Sequence, residues 1–136
     1  MCAFVDDTTS RDDSDVKEFS RRFYEGTTQK STLLNVFAEN LRGMFKYYDP
    51  IIASAIIQST LAFVDACLLE VRRGYQMMPQ AEGGEGWSHY IRVKDGLGDA
   101  FAFFLFPRAI FPEASSYLQV IPDFVVFLIR GNDLFS

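Results

Sequence analysis

From Val16 onward the apolar residues fall at Val16, Phe19 and Phe23, steps of three and four that mark one face of a short helix. Asp12 to Asp15 stand just ahead of it, where carboxylates cap a helix and suit its positive end. Ser31 can cap a second helix, with Leu33, Phe37, Leu41, Met44 and Phe45 as its stripe, Glu39 and Arg42 opposite, and Asp49-Pro50 as its stop. A third segment, Ile51 to about Tyr75, is apolar almost all round in its first half, which predicts a central helix touched on several sides. At 1.5 Å per residue it would run about 35 Å before Gly74 and Pro79 end it. Residues 80–86 form a polar, glycine-rich loop. Trp87 to Lys94 begins a fourth helix, interrupted by Gly96 and Gly98, and Ala100 to Phe106 is a dense aromatic run closed by Pro107. The last helix is expected from Pro112-Glu113, bending at Pro122 on its way to Asn132. No period-two strand and no internal repeat interrupts this pattern, so the fold class is all-α, a bundle or part of one.

Charge and composition narrow the functions. The 13 Lys and Arg against 18 Asp and Glu leave a net charge of −5 with no basic run, which argues against nucleic acid as a partner. One domain is the expectation for 136 residues. Cys2 and Cys67 are too few for a disulfide framework, and His89 is the single histidine, so Cys/His metal sites and a Ser-His triad are starved of residues. The longest uncharged stretch, between Asp49 and Asp65, falls short of the about 20 apolar residues a membrane span needs. Asp6 and Asp7 come too early for a signal peptide, and the expected compartment is the cytoplasm. The 14 Phe, 6 Tyr and 1 Trp are the unusual part of the composition, and core packing is the first use for such rings.

Three groups of residues could carry chemistry. Asp6-Asp7, with Asp12, Asp13 and Asp15 behind, packs carboxylates closely enough to need solvation or a cation, and hard oxygens suit Mg²⁺; the plain alternative is a solvated turn that caps the next helix. Arg92 and Asp95 sit three apart on one helix face, so the carboxylate can orient the guanidinium for a bidentate phosphate contact beside the carbonyls that Gly96 frees; the plain alternative is a surface ion pair next to a helix breaker. Asn132 and Ser136, four apart, offer neutral oxygens that could complete a Mg²⁺ shell, or simply mark a helix end after Gly131.

In order and content these groups resemble the motifs of class I terpene synthases, most of all the fungal sesquiterpene cyclases of the trichodiene synthase type. Val5-Asp6-Asp7-Thr8-Thr9 stands where that family has its aspartate-rich motif. Arg92, Asp95 and Gly96 match its diphosphate-sensing Arg, linking Asp and carbonyl-bearing Gly. Asn132, Asp133 and Ser136 match the start of its Asn/Ser metal motif, and Ser59-Thr60-Leu61-Ala62-Phe63 is similar to its central helix. Ser10 stands where the aspartate motif would place its last acid, leaving Asp12 or Asp13 as substitutes.

The resemblance implies a partial bundle of the class I terpenoid synthase fold, residues 1–136 being the middle of a catalytic domain. It implies Mg²⁺ held by Asp6, Asp7, Asn132 and Ser136, with Arg92, Asp95 and Gly96 at the reacting centre. The implied substrate is a linear prenyl diphosphate, farnesyl diphosphate for a sesquiterpene cyclase, ionised and cyclised with release of diphosphate. Arg92 would bind its diphosphate, and Phe4, Phe63, Phe101 and Phe104 are the candidate rings to face a carbocation without attacking it. Two rival readings are a prenyltransferase, which calls for a second aspartate-rich motif where Asn132-Asp133-Leu134-Phe135-Ser136 stands, and a noncatalytic helical protein or interaction module. Taken alone, the 136 residues are expected to turn over little or no substrate and to self-associate as a homodimer through apolar faces.

Overall fold

The computed structural model describes residues 15–72, 75, 77–79, 81–95 and 98–135, without the side chains of 132–135. It is helical throughout, with no strand among the described residues. A 3-10 turn, Val16–Glu18, leads into helix α1, Phe19–Glu25. Asp15 occupies the position ahead of that turn but makes no side-chain cap bond. Val16 and Phe19 are fully buried, as their spacing predicts, and Phe19 stacks on Phe37 at 5.2 Å. Gly26 ends α1 at φ +69°, a left-handed conformation that favours glycine.

Helix α2, Thr32–Tyr47, begins where Ser31 Oγ accepts the Leu34 N–H, the expected cap. Its buried face is Leu34, Phe37, Ala38 and Leu41, whereas Leu33 and Phe45 are exposed. The stripe read from sequence is therefore rotated: Leu33 and Leu34 are both apolar, and only the angle at which α2 meets its neighbour decides which goes inside. Arg42 is less a surface charge than a clamp, lying over the Phe23 ring at 4.7 Å and donating to Phe23 O. At the other end Arg108 N donates to Tyr47 O at 2.8 Å, and the Tyr48 hydroxyl donates to Phe104 O at 3.2 Å.

Asp49-Pro50 does more than stop α2; it starts α3, Pro50–Val71. Asp49 Oδ1 accepts the Ile51 N–H, and Pro50 takes the first-turn position where no N–H is needed. This helix is central, contacting α1, α2 and both helices that follow. Ile52, Ile56, Leu61, Val64 and Cys67 are all nearly inaccessible. Pro50–Val71 is long and apolar enough to cross a membrane by length and composition, and its burial within the bundle accounts for that apolarity. Where polar groups occur on it they are used: Thr60 Oγ1 donates to Ile56 O, and Asp65 accepts from Ser20 Oγ on α1.

Helices α4, Gly86–Asp95, and α5, Gly98–Phe104, flank the predicted break. The last helix, α6, spans Ile121–Phe135. It does not begin at Pro112-Glu113 and bend at Pro122; two 3-10 turns, Ala114–Ser116 and Leu118–Val120, precede it, and Pro122 lies in its first turn. A proline can either kink a helix or open one, and opening costs no hydrogen bond. The helix also runs through Gly131 rather than ending there. Phe106 stacks face to face on Tyr117 at 4.4 Å and meets Phe111 and Phe124 edge-on, so this part of the aromatic load is packing.

The approach of α5 to α6 is tight. A Cβ at Gly98 would lie 3.0 Å from Val125 Cγ1 and 3.5 Å from Ile129 Cγ1. Gly98 at the start of α5 thus meets Ile129, while Phe106 just past its end meets Phe124, so the two helices are antiparallel. Gly43, in the middle of α2, has open space around its Cβ position.

Gly98→Ala is expected to lower stability by about 1 kcal/mol, because overpacking costs roughly 1–3 kcal/mol and exceeds the gain in helix propensity. Gly43→Ala should instead raise it by about 0.5–1 kcal/mol. Urea unfolding checks both signs, and a Gly98→Ala chain as stable as the parent would contradict the close approach. Burial raises the Tyr48 phenol above its ordinary value. Because the folded-state value is the higher one, this contribution is complete below about pH 10 and is lost as pH rises from there through the raised value. Tyr48→Phe removes the hydrogen bond to Phe104 O and should be less stable than the parent near neutrality, with the gap narrowing above about pH 10 in urea titrations.

Candidate functional site

The face of α4 formed by Trp87, Ser88, Ile91, Arg92 and Asp95 lines a cavity of about 460 Å³, closed on the other side by Leu69 and Glu70 at the end of α3 and by Tyr75. The spacing of these five residues is that of one helical face. Trp87 and Tyr90 stack at 5.8 Å, and Lys94 Nζ lies 5.3 Å over the Tyr90 ring, which fixes the first turns of α4 against its last. Among the described residues the cavity offers one guanidinium, from Arg92, and the carboxylates of Glu70 and Asp95. A planar guanidinium at a half-open cavity suits a phosphate-type oxyanion, held bidentately.

Asp95 closes α4 and stands at the negative end of the helix dipole, where a carboxylate is disfavoured unless donors or cations surround it. One donor comes from α3: Cys67 Sγ to Asp95 Oδ1 at 3.9 Å. Helix α5 starts at Gly98, whose approach to Val125 and Ile129 brings α6 against that end of α5. Since α5 and α6 are antiparallel, the turn beyond Ile129 lies toward the Asp95 end. Asn132 belongs to that turn, about 4.5 Å farther along the axis. The backbone of Asn132 is thereby directed toward the Gly98 end of α5.

The candidate aromatic residues divide. Phe101 and Phe104 line a second cavity, of about 540 Å³, between α2 and α5, together with Phe37, Met44 and Tyr47. Phe63 is buried on α3, between Ser59 and Cys67. Phe4, Asp6, Asp7, Asp12, Asp13, Gly96, Ser136 and the side chain of Asn132 lie outside the described residues. Among the described residues no three His, Cys, Asp or Glu side chains converge as a metal site. The oxygen donors of Asp6, Asp7, Asn132 and Ser136 have the hard chemistry that Mg²⁺ takes. Trp87, Ser88 and Glu70 join the cavity without a sequence signal that singled them out; for Trp87 and Ser88 the one clue is their position one turn before Arg92 on the same face.

Residues 1–136 match the family model described as trichodiene synthase (TRI5). The terpene synthase BipA of Cochliobolus sativus is 36% identical over 136 residues, which cover 100% of this chain and 42% of that protein. The longiborneol synthase CLM1 of Gibberella zeae is 34% identical over 124 residues, covering 90% of this chain and 37% of its own length. An (E)-beta farnesene synthase of Metarhizium brunneum is 27% identical over 135 residues, covering 97% and 40% respectively. The chain thus spans about two fifths of the length of these curated relatives. With a match from end to end, a helical fold, and Arg92 and Asp95 on one cavity wall, the chain belongs to the trichodiene synthase (TRI5) family of terpene synthases.

Proposed function

We propose that this chain supplies part of the active site of a terpene cyclase that ionises a linear prenyl diphosphate, farnesyl diphosphate by its sesquiterpene resemblance, and closes the carbon skeleton into a ring. The observation that supports the reading is the antiparallel seating of α6 on α5 at Gly98, which turns the part of α6 beyond Ile129 toward the Gly98 end of α5. Arg92 lines the cavity in the last turn of α4.

The chemistry divides charge between two environments. Breaking the allylic C–O bond leaves negative charge on diphosphate and positive charge on carbon. Arg92 would bind and orient the diphosphate by paired N–H donors, stabilising charge that develops as the bond breaks. Asp95, three residues on, would hold that guanidinium in one orientation. Mg²⁺, held by Asp6, Asp7, Asn132 and Ser136, would add Lewis-acid stabilisation of the leaving group. The prenyl chain needs dry, non-nucleophilic walls, and phenylalanine faces attract a cation by about 0.5–2 kcal/mol each. Phe63 is buried on α3, the helix whose Leu69 and Glu70 line the cavity, and Phe101 lines the second cavity, between α2 and α5.

Trp87 is the single tryptophan and lines the cavity, so its fluorescence reports binding there. Titrating the 136-residue chain with inorganic pyrophosphate should give a saturable change with Mg²⁺ present and a much smaller one after chelation. Arg92→Ala should weaken the response by about tenfold or more, the worth of a charge-assisted hydrogen bond. A response independent of both Mg²⁺ and Arg92 would contradict the reading.

A further inference from the structure

Helix α6 seats Val125 and Ile129 against Gly98 of α5, and Ile121, one turn earlier, is buried. On the opposite side of the same helix stand Asp123, Val126, Phe127 and Arg130, all exposed. An outward helix face is normally polar, yet the middle of this one is apolar: Phe127 is 70% exposed and Val126 47%. Exposed apolar residues scattered singly are ordinary. A phenylalanine and a valine side by side between two opposite charges instead make a small apolar patch with a polar edge at each end.

The order of these four residues is self-complementary. Asp123 and Arg130 are just under two turns apart, so both lie on one line along the helix, separated by about 10.5 Å, with Val126 on one flank of that line and Phe127 on the other. A two-fold axis perpendicular to the helix runs two copies antiparallel, and an axis passing between positions 126 and 127 exchanges the ends of the line. Asp123 of each copy then faces Arg130 of the other, Val126 faces Val126, and Phe127 faces Phe127. A parallel pairing in register sets carboxylate against carboxylate and guanidinium against guanidinium, which is repulsive. Asp123 has no basic residue within four positions along its own helix, so a second copy offers a partner that its own helix does not. We propose that this face of α6 is an interface between two copies of this chain, antiparallel and isologous, with Phe127 at its centre. One helix pair buries less area than a standard interface, so the association is weak, with a Kd on the order of 10–100 µM. The proposal is independent of the diphosphate reading, since these four residues are not among those lining the Arg92 cavity.

Sedimentation velocity of the 136-residue chain from about 5 to 500 µM tests the proposal, with far-UV circular dichroism as the separate check on folding. A monomer–dimer equilibrium that weakens as salt is raised is expected. Asp123→Arg or Arg130→Asp alone sets like charges opposite one another and should weaken the dimer about tenfold or more, and Phe127→Ser should do the same by removing the apolar centre. The double variant Asp123→Arg/Arg130→Asp keeps the charges complementary in reversed order and should return to within about threefold of the parent. An equimolar mixture of the two single variants should form a heterodimer tighter than either variant forms with itself, because the mixture restores both charge pairs. All three positions are exposed, so the variants should keep the parental helix content, which separates lost association from lost fold. A chain that stays monomeric throughout the range leaves the face to some other occupant and would overturn the proposal. So would association that Phe127→Ser does not weaken, or a double variant and a mixture no tighter than the single variants.

Discussion

A single hydrogen in place of a side chain, at Gly98, lets α5 and α6 approach so closely that a Cβ there would lie 3.0 Å from Val125 Cγ1. That contact sets where α6 lies, and with it where the Asn132 turn falls relative to Asp95. The energetic gain is ordinary apolar packing against Val125 and Ile129; the consequence is positional.

The rest of the fold serves to make that contact rigid. Helix α3 is buried by α1, α2, α4 and α5, and the surrounding elements are fastened at their ends by specific polar contacts: Ser31 and Asp49 as caps, Arg108 on Tyr47 O, Arg42 over Phe23. Each is modest, about 0.5–2 kcal/mol by comparison with other caps and cation–π pairs, so their role is to select one arrangement of helices that burial alone would leave loosely specified.

Periodicity made the helices legible in the sequence, and chemistry at their ends made several caps legible too. Ser31 and the Asp49-Pro50 pair acted through general rules that need no tertiary information. The misreadings have one cause in common. Leu33 against Leu34, and Pro122 as bend against Pro122 as start, are choices between locally equivalent options, decided by how a helix meets its neighbours. The site divides in the same way. Arg92 and Asp95 were legible as a motif, whereas Glu70 and Cys67 come from another helix, and no spacing along the chain connects them to Arg92. Fourteen phenylalanines could not be sorted into wall and filler by spacing, and the structure sends Phe101 and Phe104 to the α2 side of α5.

Contacts between protons at the α5–α6 crossing give the most direct check on the central claim. In a methyl-labelled sample, nuclear Overhauser effects should run from the Gly98 α-protons to the Val125 and Ile129 methyl groups. Gly98 α-protons that show effects only to their own helix, with Ile129 in contact elsewhere, would separate the Asn132 turn from the Gly98 end of α5 and contradict the account.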